Sequence, residues 1–212
     1  MSDIFKEVDE ELRRDQASQL WAKYGQYVIG AALAIVLGTA AFQAWKWWDK
    51  KLRVERSAQF AAALELMRDG DNEAAAARFG AMAEPDGSYG TLAAFNEARL
   101  QAEAGNKERA IEILDRLAED TAAGPAFQGV ATILAVLHQI DQGDPAALEA
   151  RLQPLTQAGS GFRPIALELT AVLALRRGDA ERARTLYAEV ADDRSAPAGL
   201  RRRASQILAA LE

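Results

Sequence analysis

The side chains able to do covalent or acid–base chemistry are few in this sequence. Its one histidine, His138, sits between Leu137 and Gln139. A serine or cysteine nucleophile needs a base of that kind beside it. A polar surface or half-buried helix position is the reading for His138. Cysteine is absent, so there is no disulfide framework, and a zinc site built on a lone histidine is not expected. Neighbouring carboxylates occur at Glu119 with Asp120 and at Asp192 with Asp193. Such pairs supply general acid and base only when their environments split their proton affinities; both stand at expected helix ends, where solvation is the ordinary state. Glycine followed by Asp or Asn recurs at Gly70, Gly105, Gly143 and Gly178. Glycines cradle a phosphate when they crowd one loop, and these are 35, 38 and 35 residues apart. No catalytic residue, cofactor-binding residue or metal ligand is predicted, and the chain is not expected to be an enzyme.

What those glycines mark instead is a repeat. Five residues after each come Ala75, Ala110, Leu148 and Ala183; nine after, Phe79, Leu114, Leu152 and Tyr187; twelve after, Met82, Leu117, Leu155 and Val190. Offsets differing by four and three define one stripe of a helix. Before each glycine a second stripe runs backwards through Met67, Ala102, Ile140 and Leu175, then Ala63, Ala98, Val136 and Ala171. Ten before, Phe60, Phe95 and Ile133 continue it and Glu168 interrupts it. The unit is therefore helix, tight turn, helix. Glycine supplies positive φ at the end of the first helix, and Asp or Asn caps the second. Single prolines, Pro85, Pro125, Pro164 and Pro197, mark the hand-over between units. A last segment with Leu200, Ala204, Ile207, Leu208 and Leu211 on one face reads as a capping helix, and Arg201, Arg202 and Arg203 read as its solvated side. A hairpin this short cannot hide its apolar face alone, so about four of them should stack.

Ahead of the repeats, Tyr27 to Phe42 reads YVIGAALAIVLGTAAF, and no charge falls between Lys23 and Lys46. The stretch from Tyr27 to Trp45 spans roughly 28 Å as a helix, near the roughly 30 Å of a bilayer core. Trp21, Tyr24 and Tyr27 precede the run and Trp45, Trp47 and Trp48 follow it, as residues of a membrane interface do. A buried core helix seldom has every face apolar with aromatic residues at both ends. A cleaved signal seldom follows 24 residues holding six acids, Asp3, Glu7, Asp9, Glu10, Glu11 and Asp15. Flanking cations, four before and five after, give no orientation. Phe5, Val8 and Leu12 fit either a short amphipathic helix or a solvated tail.

The fold class expected is all-α: one N-terminal transmembrane helix, then a TPR-like α-solenoid of about four hairpins and a capping helix. The divisions are a leader at 1–24, the membrane helix at 25–47, a helical linker at 48–57 and the repeat domain at 58–212. The part from 57 onward carries 23 acids against 16 bases, which argues against nucleic acid as a partner.

The 35-residue period, the Gly-Asp turn, the small residue five later and the proline before the next unit resemble the tetratricopeptide repeat. The order of parts, an apolar run closing in AWKWWDKKLRVERSAQF at Ala44 to Phe60 and then Tyr89-Gly90-Thr91-Leu92-Ala93-Ala94, resembles the ancillary Sec-translocon subunit family. The likeness departs in the longer acidic leader at residues 1 to 23. It implies a bacterial inner-membrane protein with its amino terminus cytoplasmic and its repeats periplasmic. The implied partners are translocon subunits, a membrane-anchored periplasmic chaperone of the prolyl isomerase type and exported clients, with homo-oligomers also open. It also implies that the first helix of each hairpin lines a protein-binding groove, which makes Arg68, Arg99, Glu103, Asp141 and Arg176 the candidate contacts. The competing reading of the same parts is a scaffold or oligomerisation protein of an envelope complex for division or cell-wall assembly.

Overall fold

A computed structural model of the chain describes residues 2–82 and 88–211. It is built of helices α1 (Ser2–Arg68), α2 (Asn72–Met82), α3 (Ser88–Glu103), α4 (Lys107–Glu119), α5 (Pro125–Gln139), α6 (Pro145–Leu152), α7 (Arg163–Arg176), α8 (Ala180–Asp192) and α9 (Ala198–Ala210), with a 3-10 turn at Gln153–Thr156 after α6. No strand occurs among the described residues. The chain divides into two compact units, one up to Glu55 and one from Arg56 to the end.

In the second unit the predicted hairpins are present: the end of α1 with α2, α3 with α4, α5 with α6, and α7 with α8, followed by α9 as the cap. Of the twelve residues at the three offsets after the glycines, ten are buried, and Met82 and Leu155 are half-buried. The stripe read from the sequence is therefore the core. It is laid down as four successive clusters, the first around Ala63, Phe79 and Leu100, the last around Leu167, Tyr187 and Leu200. Alanine at 0% exposure in Ala63, Ala75, Ala110, Ala171 and Ala183 lets backbones approach, and Phe79 and Tyr187 fill what remains. Each aliphatic side chain buried in this way contributes about 1.5–3 kcal/mol. Phe60 meets Phe79 within the first hairpin at 5.4 Å between ring centroids, and aromatic pairs tie one hairpin to the next, Phe60 with Tyr89 at 5.7 Å and Phe95 with Phe127 at 6.1 Å.

The turns follow the prediction at three places and correct it at one. Gly70, Gly105 and Gly178 have φ of 86°, 89° and 78°. In each the following residue donates its N–H back to the fifth residue before it: Asp71 to Leu66 at 2.9 Å, Asn106 to Gln101 at 2.8 Å and Asp179 to Ala174 at 2.9 Å, the Schellman arrangement. Gly143 has no positive φ. The turn there is longer, Gly143 donates to the Gln139 carbonyl at 2.7 Å, and a Cβ would stand 3.0 Å from both the Gln139 oxygen and Leu148 Cδ1. Close approach, not backbone sign, is what requires glycine at 143. The caps divide similarly. Asp71, Asp144 and Asp179 accept from the N–H three residues on, at 3.1, 2.9 and 3.1 Å. Asn106 does not: its amide donates to Gln101 Oε1 at 2.9 Å instead. Pro125 opens α5, Pro164 lies in the first turn of α7 and Pro197 precedes α9; Pro85 lies outside the described residues.

The first unit is α1 alone. Its backbone is helical from Ser2 onward; the side chains of Phe5, Val8 and Leu12 lie outside the described residues. Between Trp21 and Arg68 it holds an 18-residue window of mean hydropathy 1.8, none of it buried in protein. Among the described residues it is the one helix long and apolar enough to cross a membrane.

Candidate functional site

The five charged residues expected to line a groove do not behave alike. Arg68 and Asp141 are exposed, at the end of α1 and in the turn after α5, and neither makes a side-chain hydrogen bond or ion pair with another described residue. Arg99 and Glu103, one turn apart on α3, pair at 2.5 Å, and Arg99 also reaches Met67 Sδ of the preceding hairpin. Arg176 Nη1 donates to the carbonyls of Ile140 at 2.6 Å and Gly143 at 3.0 Å. It thus clamps the third turn, the one without the left-handed glycine, from the next hairpin. The structure therefore brings Arg99 to Glu103, and Arg176 to the turn carrying Asp141.

Of the ion pairs that the repeat pattern did not foretell between helices, two hold a buried carboxylate. Glu168, the residue that interrupts the apolar stripe, is 7% exposed. Its two oxygens accept from Arg203 Nε at 2.5 Å and Nη2 at 2.7 Å. The fork-to-carboxylate geometry is the strong form of such a pair, and it holds Arg203 above its ordinary guanidinium value. Arg203 thus stays on the exposed face of α9 that the sequence suggested, while its guanidinium reaches across to Glu168. Arg202 remains exposed, and Arg201 reaches the Arg194 carbonyl at 3.4 Å. An acid on a stripe with an arginine one repeat later was the available signal. Glu97, 5% exposed, faces Arg109 at 3.5 Å and lies against Gly80, where a Cβ would stand 3.1 Å from its Oε1.

Burial, and after it the charge of Glu168, pushes the Tyr187 phenol up. Asp193 is held below the usual carboxylate range, first by the Ser195 hydroxyl at 2.6 Å and then by the Ser195 N–H at 2.8 Å. Asp120 Oδ1 likewise accepts from Ala122 N at 2.9 Å. Those two carboxylates therefore shape turns. His138 is half-buried in the last turn of α5. No group of three His, Cys, Asp or Glu poised around a metal occurs among the described residues. A cleft of about 710 Å³ lies between the first two turns, with Asp71, Glu73, Leu100, Gln101 and Asn106 in its walls.

On α1 the expected interface residues are all on the outside: Trp21, Tyr24 and Tyr27 are 61, 48 and 67% exposed, and Trp45, Trp47 and Trp48 are 69, 62 and 60% exposed. The Trp21 ring lies over Gly25, where a Cβ would meet it at 3.2 Å. Lys23 Nζ stands 5.4 Å from the Tyr24 ring centre and Lys51 Nζ 5.7 Å from that of Trp47. Thr39, the polar side chain within the run, donates to the carbonyls of Ile35 and Val36, both at 2.9 Å, so its hydroxyl is satisfied inside the helix.

Helical hairpins stacked in register with glycine turns, and without a catalytic constellation among the described residues, define a helical-repeat protein. The model of the tetratricopeptide repeat-like domain matches residues 18–210, and the chain belongs to that family. Domains of this kind mediate protein interactions and are generally non-catalytic. No curated protein matches the chain.

Proposed function

We propose that this chain is a membrane-anchored protein-binding module, an accessory subunit of the Sec translocon. In this reading it links the translocon to a periplasmic chaperone of the prolyl isomerase type and assists exported proteins by binding, not by catalysis. The leader at 1–24 lies in the cytoplasm, 25–47 cross the bacterial inner membrane, 48–57 form a short helical connection and 58–212 stand in the periplasm. The observation that carries the membrane anchor is the apolar window of α1. It is covered by no protein surface, carries aromatic rings at both edges and runs into a domain of a protein-binding family. Within that domain Arg68 and Asp141, whose charges other side chains leave unspent, contact partners. Arg99 and Arg176, already engaged with neighbouring hairpins, and Glu103, paired with Arg99 on the same helix, set the spacing of the surface.

Site-specific crosslinking in membranes from positions 68 and 141 tests the assignment. Adducts with channel subunits, a periplasmic chaperone and nascent exported chains are expected; adducts confined to division or cell-wall proteins would replace it with a scaffold. Protease added to intact cells should spare residues 58–212 and should cut them once the outer membrane is opened. Cleavage seen only in inverted vesicles would reverse the topology.

A further inference from the structure

At the carboxyl end of its apolar window α1 changes character within one turn. Gln43, Lys46, Trp47 and Lys50 are spaced i, i+3, i+4 and i+7, which puts them on one face of the helix. Together with Ala40 and Ala44 on the apolar side and the Asp49–Arg53 ion pair at the far edge, they border a shallow surface depression. From residue 43 to 53 there are four cations, Lys46, Lys50, Lys51 and Arg53, against the single carboxylate of Asp49. That carboxylate is already taken by Arg53, whose Nε donates to it at 3.0 Å. Lys51 leans on the outer Trp47 ring, so Lys46 and Lys50 are left exposed with no acidic neighbour bonded to them.

Two unpaired ammonium groups, a primary amide and an indole N–H, all donors, thus lie on one helix face at the edge of an apolar segment. An array of donors with net positive charge calls for an anion. Beneath it, Ala40 and Ala44 leave the helix surface low, as an aliphatic chain lying along it requires. We infer that this face binds an anionic phospholipid. Lys46 and Lys50 hold its phosphate, Gln43 and the Trp47 indole hydrogen-bond its headgroup, and one acyl chain packs against Ala40 and Ala44. The inference rests on the membrane reading of α1 and adds to it the lipid class and the residues that select it.

The test uses the full chain with Trp47 as its only tryptophan, the other three replaced by phenylalanine. It is reconstituted into phosphatidylcholine vesicles containing a minority of phosphatidylglycerol, and one lipid or the other carries the bromine that quenches indole fluorescence. Brominated phosphatidylglycerol should quench Trp47 out of proportion to its share of the bilayer. At about 1 kcal/mol per lysine near a charged surface, that preference is roughly five-fold for each lysine. It should fall close to unity in K46Q/K50Q and persist in R14Q/K23Q, which removes equal charge from the other flank. Equal quenching by both lipids, or a preference that survives K46Q/K50Q, overturns the inference while flotation of the vesicles with bound protein leaves the anchor standing. Trp47 shielded from both lipids places a protein neighbour, a second copy first, on this face and overturns it too. Failure to float with vesicles of any composition overturns the inference and the anchor together.

Discussion

Helix α7 and the apolar run of α1 are both greasy on every side, and the molecule treats them in opposite ways. In α7 every residue from Ala166 to Ala171 is buried, as are Leu173 and Ala174, because α6, the 3-10 turn, α8 and α9 all close around it. In α1 the residues Leu33, Ile35, Val36 and Leu37 are 57 to 67% exposed. An all-round apolar helix is stable either inside a protein or inside a bilayer. The repeat supplies α7 with neighbours on all sides, whereas every side chain described in α1 from Tyr27 to Trp45 is exposed. The contrast extends to polar groups. α7 carries a carboxylate, Glu168, and can do so because a neighbouring helix brings Arg203 to it. The run of α1 carries only Thr39, which turns its hydroxyl onto its own backbone.

The largest effect expected is on the covering of α7. Tyr187 is 1% exposed, in the cluster of Leu167, Ala171 and Ala204, so Tyr187→Ala should cost about 3–5 kcal/mol. In detergent-solubilised full chain this reads as a large fall in the melting midpoint by circular dichroism, with membrane association unchanged. The phenol adds a pH dependence of definite sign. Because burial raises its folded value, the folded state keeps its proton longer than the unfolded state does. Its contribution is therefore intact below the ordinary tyrosine value and is lost as pH rises through that value toward the raised one. Tyr187→Phe should flatten that alkaline limb; an unchanged limb would mean another group causes it.

Next comes the converse experiment on α1. Leu37 is 67% exposed, and on a soluble helix Leu37→Arg would move stability by no more than about 0.5 kcal/mol. At the centre of a membrane helix an arginine costs about 2.5–3.5 kcal/mol of insertion. The variant should shift from the carbonate-resistant to the extractable fraction while the melting midpoint of the repeat domain stays put. An arginine tolerated without loss of membrane association would break the comparison, because α1 would then not be solvated by lipid.

A smaller loss is expected at Gly129 on α5. In a helix interior alanine is favoured over glycine by about 1 kcal/mol, so Gly129→Ala at an open site would stabilise. Here the Phe162 ring from the segment before α7 occupies the place where the Cβ would be. Overpacking of this kind costs about 1–3 kcal/mol, and the net change should be a lower melting midpoint. A rise would show that the ring has room to move.

What was legible in the sequence was what repeats. The stripes at fixed offsets from Gly70, Gly105 and Gly178 specify helices, turns and core together because one physical requirement, burial of a single face, is written four times. Gly143 shows the limit: its position in the period and the Asp144 cap are right, but the connection from Gln139 to Pro145 is longer than the other turns, so the backbone there needs space and not a left-handed residue. Long-range pairings were the other blind spot. Glu168 looked like a flaw in a stripe, and Arg203 like one of three solvated cations. Nothing local to either predicts that stacking of the cap brings them together. The groove candidates suffer similarly, since an arginine such as Arg176 that clamps backbone carbonyls and one such as Arg68 that points free have the same address within the repeat.

That buried pair supplies the smallest and most discriminating perturbation of α7. Its two side chains are unequally placed, with Glu168 10% and Arg203 56% exposed, so removal of either partner should not cost the same. Arg203→Gln leaves a carboxylate inside the stack without its fork of donors. A buried charge-assisted hydrogen bond lost on one side costs about 1.5–3 kcal/mol, and the open flank of Arg203 to solvent puts the expectation at the lower end. Glu168→Gln leaves a guanidinium already half in water, and the loss should be nearer the tenths of a kcal/mol typical of exposed pairs. Melting midpoints of the two single variants and the double one decide the matter. If the double variant is more stable than Arg203→Gln alone and recovers to the level of Glu168→Gln, the cost lies in stranding the carboxylate, and α7 tolerates a charge only because α9 neutralises it. Equal losses from both single variants would mean that the pair acts as a surface contact and that water reaches α7, which would narrow the difference between it and α1.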